Sequence, residues 1–165
     1  MSQDLALLLR QRIEAESSLL RAIPDLVAAD KLGPKWSRKE ELGHLIDSAS
    51  NNHLRFVRAA LEPQYSGPTY DQDASVLLHG YQEIPWPELL ELWRRYNLLL
   101  ADLICRIPAA KLSTPCAIGD HAAVTLKFLM EDYVLHLRHH VDHILRRDPI
   151  TPYPGEAADY LAKSI

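Results

Sequence analysis

Cysteine and glycine are both scarce in this chain of 165 residues, which holds two cysteines and six glycines. The cysteines, Cys105 and Cys116, form no CxxC motif, and the sequence has neither a GxSxG motif nor a Gly-rich phosphate loop. The usual sequence patterns of redox dithiols, serine hydrolases and P-loop nucleotide binding are therefore absent. We expect both cysteines to be free thiols that serve as small core residues.

The chain also lacks a net positive charge and long apolar runs. The formal net charge is −4 and the 18 Lys and Arg residues are scattered, so a nucleic-acid or anionic-membrane partner is not expected. No segment approaches the roughly 20 apolar residues of a membrane span, and the N-terminus lacks a signal-peptide pattern. Hydrophobic residues make up 47% and charged residues 24%, as in globular proteins, and we expect one cytoplasmic domain over residues 1–165.

Apolar residues recur at helical spacing in four segments, which predict four long helices and no strand. The second helix has the clearest start, because Ser37 and Glu40 have the spacing of a capping box. This pattern predicts an all-α fold, a four-helix bundle. The predicted helices are, in order, residues 2–28, 38–61, 85–107 and a segment that begins between 120 and 125 and ends at 147. Pro24 is expected to end or kink the first of them.

Residues 63–84 form a long connection between the second and third helices, rich in Pro, Gly, Ser, Tyr and Asp. We expect a short helical turn at residues 74–78 within it. A connection of this length indicates either a functional segment or a crossover between helices that are not adjacent. After the fourth helix, a last turn is predicted at residues 156–163.

Four of the eight histidines lie within residues 136–143, on the fourth predicted helix. His136 and His140 stand four apart, as do His139 and His143, and residues four apart share one helix face. Two such imidazoles can converge on one metal ion, and a ligand from another helix completes an open three-ligand site. Helical periodicity favours His136 and His140 as the inward pair, with His143 as a pocket neighbour and His139 at the edge.

A polar stripe on the second helix offers the third ligand, His44. Taken alone, His44 fits a buried core histidine better than a ligand, but beside the HxxxH pair it completes a three-histidine site. Three neutral imidazoles suit Zn2+, and also Ni2+ or Co2+. The stripe consists of His44, Asp47, Ser48, Asn51 and Arg55. We assign the solvent-facing positions of the same helix to Arg38, Lys39, Glu41 and Arg58.

Two sequence motifs lie at the second and fourth predicted helices. The first is Trp36-Ser37 followed by residues 43–56 (GHLIDSASNNHLRF), and the second is residues 133–144 (YVLHLRHHVDHI). Together they resemble the DinB-like superfamily, and within it the YfiT-like group of metal-dependent hydrolases. The resemblance covers about residues 30–147 and implies an up-down-down-up bundle with a long crossover between helices 2 and 3. It also implies a divalent metal held by three side chains, His44, His136 and His140.

The resemblance further implies an enzyme that acts on a small molecule. Some relatives are thiol S-transferases or isomerases that use bacillithiol, mycothiol or glutathione. We therefore hypothesise that the metal activates either a low-molecular-weight thiol or water. In the hydrolytic version Asp47 is the candidate general base, Asn51 and Arg55 position the substrate, and His143 lines the pocket.

The sequence leaves open which nucleophile is used, whether the protein is catalytic, and how it assembles. The absence of an obvious acid–base pair of carboxylates favours the thiol version over hydrolysis. The competing class is a non-catalytic bundle that binds a metal or a small ligand, with His143 as a fourth ligand that closes the site. A homodimer is the assembly that we carry as a hypothesis.

Overall fold

The four long helices of the bundle are α1 (Ser2–Arg21), α3 (Arg38–Leu61), α5 (Trp86–Arg106) and α6 (Leu126–Leu145). Between them lie two shorter helices, α2 (Asp25–Ala29) and α4 (Gln72–His79), and 3-10 turns at Tyr81–Glu83 and Ala109–Lys111. The computed structural model describes residues 2–148, so the turn expected at residues 156–163 lies outside the described residues. None of the helices within residues 2–148 is long and apolar enough to cross a bilayer.

Contacts at the helix ends give the directions of the helices. Trp86 at the start of α5 donates its indole N–H to the carbonyl of Leu20 near the end of α1, at 2.9 Å. Ser2 at the start of α1 reaches the carbonyl of Ile107 just beyond α5, so α1 and α5 are antiparallel. Arg38 at the start of α3 donates to the carbonyl of Ile144 at the end of α6, which makes these two helices antiparallel as well.

Helices α3 and α5 run in the same direction. At their starts, Asp25 accepts hydrogen bonds from Lys39 of α3 and from the backbone N–H of Trp86 of α5. Beyond their ends, Lys111 donates to the carbonyl of Glu62 at 3.0 Å. The four helices therefore run up, down, down and up, and the prediction of a four-helix bundle is confirmed.

The apolar faces of the four helices meet in one core, as their periodicity predicts. Trp86 and Trp93 of α5 are its largest side chains, 1% and 0% exposed. The fully buried core residues of the four long helices include Leu9, Ile13, Leu20, Leu42, Ala49, Phe56, Leu89, Leu100, Ile104, Leu129, Tyr133, Leu137 and Val141.

The start of α3 is fixed by the capping box that the sequence predicts. The Ser37 hydroxyl accepts from the backbone N–H of Glu40 at 3.2 Å, and the Glu40 carboxylate accepts from the backbone N–H of Ser37 at 2.8 Å. Both contacts satisfy N–H groups that the first helical turn leaves without a carbonyl partner. The register of every later α3 side chain follows from this fixed start.

A small three-stranded sheet contradicts the prediction that no strand is present. Its strands are β1 (Tyr65–Gly67), β2 (Pro115–Ile118) and β3 (Val124–Thr125), in the order β1-β2-β3. Strand β1 pairs with β2 in parallel, with Tyr65 opposite Cys116, and β2 pairs with β3 in antiparallel fashion. These strands are too short for an alternating pattern to appear, and they pair connections that lie far apart in the chain.

The first predicted helix is interrupted at Pro24, as the sequence predicts. Helix α1 ends at Arg21, and Pro24 precedes a separate short helix, α2, whose first turn it caps with its carbonyl. The prediction for the cysteines is wrong in part. Both cysteines are free thiols, as expected, but only Cys116 is a core residue. Cys105 is exposed on α5.

The connection between α3 and α5 packs back onto α3. The expected turn at residues 74–78 is confirmed by α4, whose N-terminus is capped by Asp71. The 3-10 turn that follows places the ring of Tyr81 against Gly43 of α3. A Cβ atom built on Gly43 would lie 2.1 Å from Cδ2 of Tyr81, so only glycine permits this contact.

We predict that Gly43→Ala lowers the free energy of unfolding by about 1–3 kcal/mol through overpacking against Tyr81. Helix propensity alone would favour alanine by about 1 kcal/mol, so the two effects have opposite signs. Urea denaturation measures the difference. In a Tyr81→Ala background the clash is absent, and Gly43→Ala should then be neutral or stabilising. A stabilising effect in the wild-type background would contradict the prediction.

Candidate metal centre

Three imidazoles from two antiparallel helices meet inside the bundle. His44 comes from the second turn of α3, and His136 and His140 come from the second half of α6. Nε2 of His44 lies 3.2 Å from Nε2 of His136. The ring centroid of His140 lies 4.7 Å from that of His44 and 4.5 Å from that of His136. One ligand nitrogen from each ring lies within 4.8 Å of the other two.

These distances fit a divalent metal held by three imidazoles. Two Zn–N bonds of about 2.0–2.1 Å at a tetrahedral angle place their nitrogens about 3.3 Å apart. The separation of 3.2 Å between the Nε2 atoms of His44 and His136 is close to that value. An N–H···N hydrogen bond between the two rings has the same length, so the pair is compatible with a metal-free and a metal-loaded site.

Burial keeps the inner imidazoles neutral. His44 is fully buried and His136 is 1% exposed. Burial, with the nearby charge of His140, lowers the pKa of His44 to about 3. Burial is also the main cause that lowers the pKa of His136 well below its ordinary value, and His140 and His44 add to it. A neutral imidazole retains the lone pair that a metal requires.

Glu41 contacts the third imidazole from its outer side. Its Oε1 lies 3.0 Å from Nδ1 of His140 and 3.2 Å from Nδ1 of His143. An Nδ1–H of His140 that donates to Glu41 leaves Nε2 with the free lone pair, which is the carboxylate–histidine–metal arrangement. The assignment of Glu41 and Lys39 to solvent is wrong. The Glu41 side chain is 15% exposed, and Lys39 is 4% exposed and paired with Asp25.

The two remaining histidines of α6 lie toward the surface. The side chain of His143 is 49% exposed and contacts Glu41. The ring centroid of His139 lies 4.1 Å from that of His143. Partial burial, followed by the charges of His143 and His140, lowers the pKa of His139 to about 4.

A cleft of about 630 Å³ opens beside His140. Glu41, His143 and Trp36 line it together with His140. The ring centroid of Trp36 lies 4.9 Å from that of His44, so the indole covers this buried histidine. His140 is therefore the member of the three-histidine group that contacts the cleft. The rest of the wall carries charges of both signs, on Asp30, Lys35, Arg38, Asp73, Asp142, Arg146 and Arg147.

Asp47 is held by the connection between α3 and α5. The Tyr81 hydroxyl donates to Oδ1 of Asp47 at 2.6 Å, and Nδ1 of His79 lies 3.2 Å from the same oxygen. The other carboxylate oxygen, Oδ2, is buried without a hydrogen-bond partner among residues 2–148. Burial raises the pKa of Asp47, and the contacts with Tyr81 and His79 oppose that rise.

Asn51 and Arg55 also contact backbone groups. Asn51 donates to the carbonyl of Asp47 at 2.9 Å, within its own helix. Arg55 is 2% exposed and donates to the carbonyl of Pro68 at 3.2 Å. The structure therefore brings His44, His136 and His140 together, whereas the other polar residues of the α3 stripe contact α3 itself or the segment that follows it.

Two residues of this region, Glu41 and Tyr81, are not predicted from the sequence. Glu41 precedes His44 by three positions and therefore shares its helix face, a spacing that identifies it as a neighbour of the site. Tyr81 lies in an irregular connection, where hydrophobic periodicity carries no information about which side chain packs on which helix.

We predict that Glu41→Ala weakens Zn2+ affinity by about 10–100-fold, because His140 loses the carboxylate that orients it. Competition with a chromophoric chelator measures the change. Glu131→Ala, which removes a carboxylate elsewhere on α6, is the matched control and should bind like the wild type. An unchanged affinity in Glu41→Ala would exclude this role.

Comparisons with known proteins bear mainly on the fold. No family model matches the sequence, and no curated protein sequence matches it. Among solved structures, the chain is similar to YfiT from Bacillus subtilis, described as a probable metal-dependent hydrolase with an unusual four-helix bundle topology. The superposition has a TM-score of 0.77 at 20% identity and covers 87% of this chain and 84% of YfiT. The chain therefore has the four-helix-bundle fold of YfiT.

Proposed function

We propose that this chain is a metal-dependent enzyme in which His44, His136 and His140 hold one divalent ion. The observation that carries the proposal is the meeting of three imidazoles from α3 and α6, with ligand nitrogens within 4.8 Å of one another. Zn2+ suits this donor set first, and Ni2+ or Co2+ are alternatives. The description of YfiT as a probable metal-dependent hydrolase supports the same class of activity.

The substrate in this proposal is a small molecule that enters the cleft beside His140. The cleft volume of about 630 Å³ falls in the range of small-molecule sites, about 300–1,000 Å³. A divalent ion, when bound, lowers the pKa of coordinated water or thiol and polarises a substrate oxygen. Glu41 orients His140, Trp36 excludes water from His44, and His143 contacts the substrate at the cleft wall.

Two nucleophiles fit this arrangement, a low-molecular-weight thiol and water. In the hydrolytic version a protein base assists the metal-bound water, and Asp47 is the candidate. Its Oδ1 accepts from Tyr81, and its Oδ2 is buried, so Asp47 is poorly placed to exchange protons with solvent. Thiol transfer needs no such base, because the ion itself favours the thiolate. The state of Asp47 therefore favours thiol transfer. Asn51 and Arg55, the substrate-positioning candidates of the hydrolytic version, donate to the carbonyls of Asp47 and Pro68, and neither lines the cleft beside His140.

The competing class is a non-catalytic bundle with a structural metal. A structural zinc site has four protein ligands, and His143 is the candidate fourth. The Nδ1 atom of His143 lies 3.2 Å from Glu41, and the ring centroids of His143 and His140 are 5.8 Å apart. This position beside Glu41 supports an open three-ligand site. Cytoplasmic location and a homodimer stay as hypotheses from the sequence.

We predict about one divalent ion per chain after purification without chelator, because three neutral imidazoles form a complete open site. His136→Ala should lower this occupancy, and elemental analysis measures both. His121→Ala, in the loop before β3, is the matched control and should retain the metal. Full occupancy in His136→Ala would exclude the three-histidine site.

We predict turnover by the metal-loaded protein in a panel that pairs bacillithiol, glutathione, mycothiol or no thiol with electrophiles and simple esters or amides. Thiol transfer predicts product only when a thiol is present, whereas hydrolysis predicts product without one. Removing the metal should abolish either activity, since the ion generates the nucleophile. Activity that survives metal removal would exclude both versions.

A further inference from the structure

Two groups of potential metal ligands overlap in this protein, and they share His140. The inner group is His44, His136 and His140, and the outer group is Glu41, His140 and His143. In the outer group, Oε1 of Glu41 lies 3.0 Å from Nδ1 of His140 and 3.2 Å from Nδ1 of His143. One carboxylate oxygen and two imidazole nitrogens are a common donor set for Zn2+ and related divalent ions.

The two groups differ sharply in exposure. His44 and His136 are 0% and 1% exposed, whereas the side chains of Glu41, His140 and His143 are 15%, 16% and 49% exposed. The three outer side chains line the cleft of about 630 Å³. An ion that enters from the cleft therefore meets the outer donors before it meets the inner ones. Glu41 adds a negative charge to the outer group, which the inner group lacks.

We propose that Glu41, His140 and His143 form an outer cation site through which a divalent metal reaches the inner three-histidine site. This inference rests on the proposed metal-dependent function, since it describes how the inner site is loaded. His140 belongs to both groups and transfers the ion from one to the other. The outer site holds the ion while the inner site is empty or disrupted.

Because the two sites share His140, only one of them can hold an ion at a time. A neutral imidazole has one lone pair, so His140 binds an ion through Nδ1 or through Nε2, but not through both. Binding at Nδ1 places the ring proton on Nε2. Transfer of the ion inward returns the proton to Nδ1, from where it donates to Glu41. The total number of protons on the ring is unchanged, and solvent in the cleft carries the exchange.

The equilibrium test compares the metal-free wild type with His44→Ala/His136→Ala, titrated with Zn2+ by calorimetry. The wild type should bind one equivalent tightly. The double variant, its fold checked by circular dichroism, should still bind one equivalent, more weakly, and adding His143→Ala should abolish that binding. Two equivalents in the wild type would overturn the sharing of His140, and no binding by a folded double variant would overturn the outer site.

The kinetic test leaves the buried ligands intact. Co2+ uptake by the metal-free protein is followed by stopped-flow quenching of tryptophan fluorescence, because Trp36 lies 4.9 Å from His44. His143→Ala should load about tenfold more slowly, as loss of a steering and capture group implies, yet reach the same final stoichiometry. His139→Ala removes the neighbouring imidazole and is the matched control, with wild-type uptake expected. Equal uptake rates in His143→Ala and the wild type would overturn the proposal.

These outcomes separate the outer site from the function on which it rests. If the proposed three-histidine site is wrong, the wild type binds Zn2+ no more tightly than His44→Ala/His136→Ala. If only the outer site is wrong, the wild type binds one equivalent tightly, the folded double variant binds none, and His143→Ala loads at the wild-type rate.

Discussion

The approach of His44 to His136 across the contact between α3 and α6 constrains much of the structure. Their Nε2 atoms lie 3.2 Å apart, and both rings are buried. A buried polar group without a partner costs about 1–3 kcal/mol, so the two rings need each other or a metal. That need fixes the register of α3 against α6, which Arg38 holds at one end through the carbonyl of Ile144.

Helix α3 links the His44–His136 pair to the connection that follows the helix. Its successive side chains point about 100° apart and therefore reach different neighbours. His44 faces α6, and Gly43 beside it faces the ring of Tyr81. One turn later, Asp47 accepts a hydrogen bond from the Tyr81 hydroxyl. Tyr81 is thus fixed by packing and by a hydrogen bond to the same helix that carries His44. The long connection after α3 therefore adopts a defined position relative to the candidate metal centre.

The sequence predicts those features that depend on local spacing. The four helices follow from apolar periodicity, the start of α3 from Ser37 and Glu40, and the HxxxH pair from its spacing of four. The features that it does not predict are contacts between distant segments. From the sequence, Glu41 is predicted to be a surface carboxylate and Lys39 a surface cation. In the folded chain α6 places His140 beside Glu41, and α2 places Asp25 beside Lys39. The short strands likewise exist only because two distant connections meet.

The unequal exposure of the three candidate ligands bears on the choice between a catalytic and a structural ion. His44 and His136 lie in the buried interior, where a low dielectric strengthens electrostatic interactions. His140 borders a cleft large enough for a small molecule. A structural zinc needs four ligands and no access from solvent, whereas a catalytic zinc needs rigid ligands on one side and exchangeable positions on the other. Two buried imidazoles and one beside a cleft match the second description, and Glu41 fixes the third imidazole at that boundary.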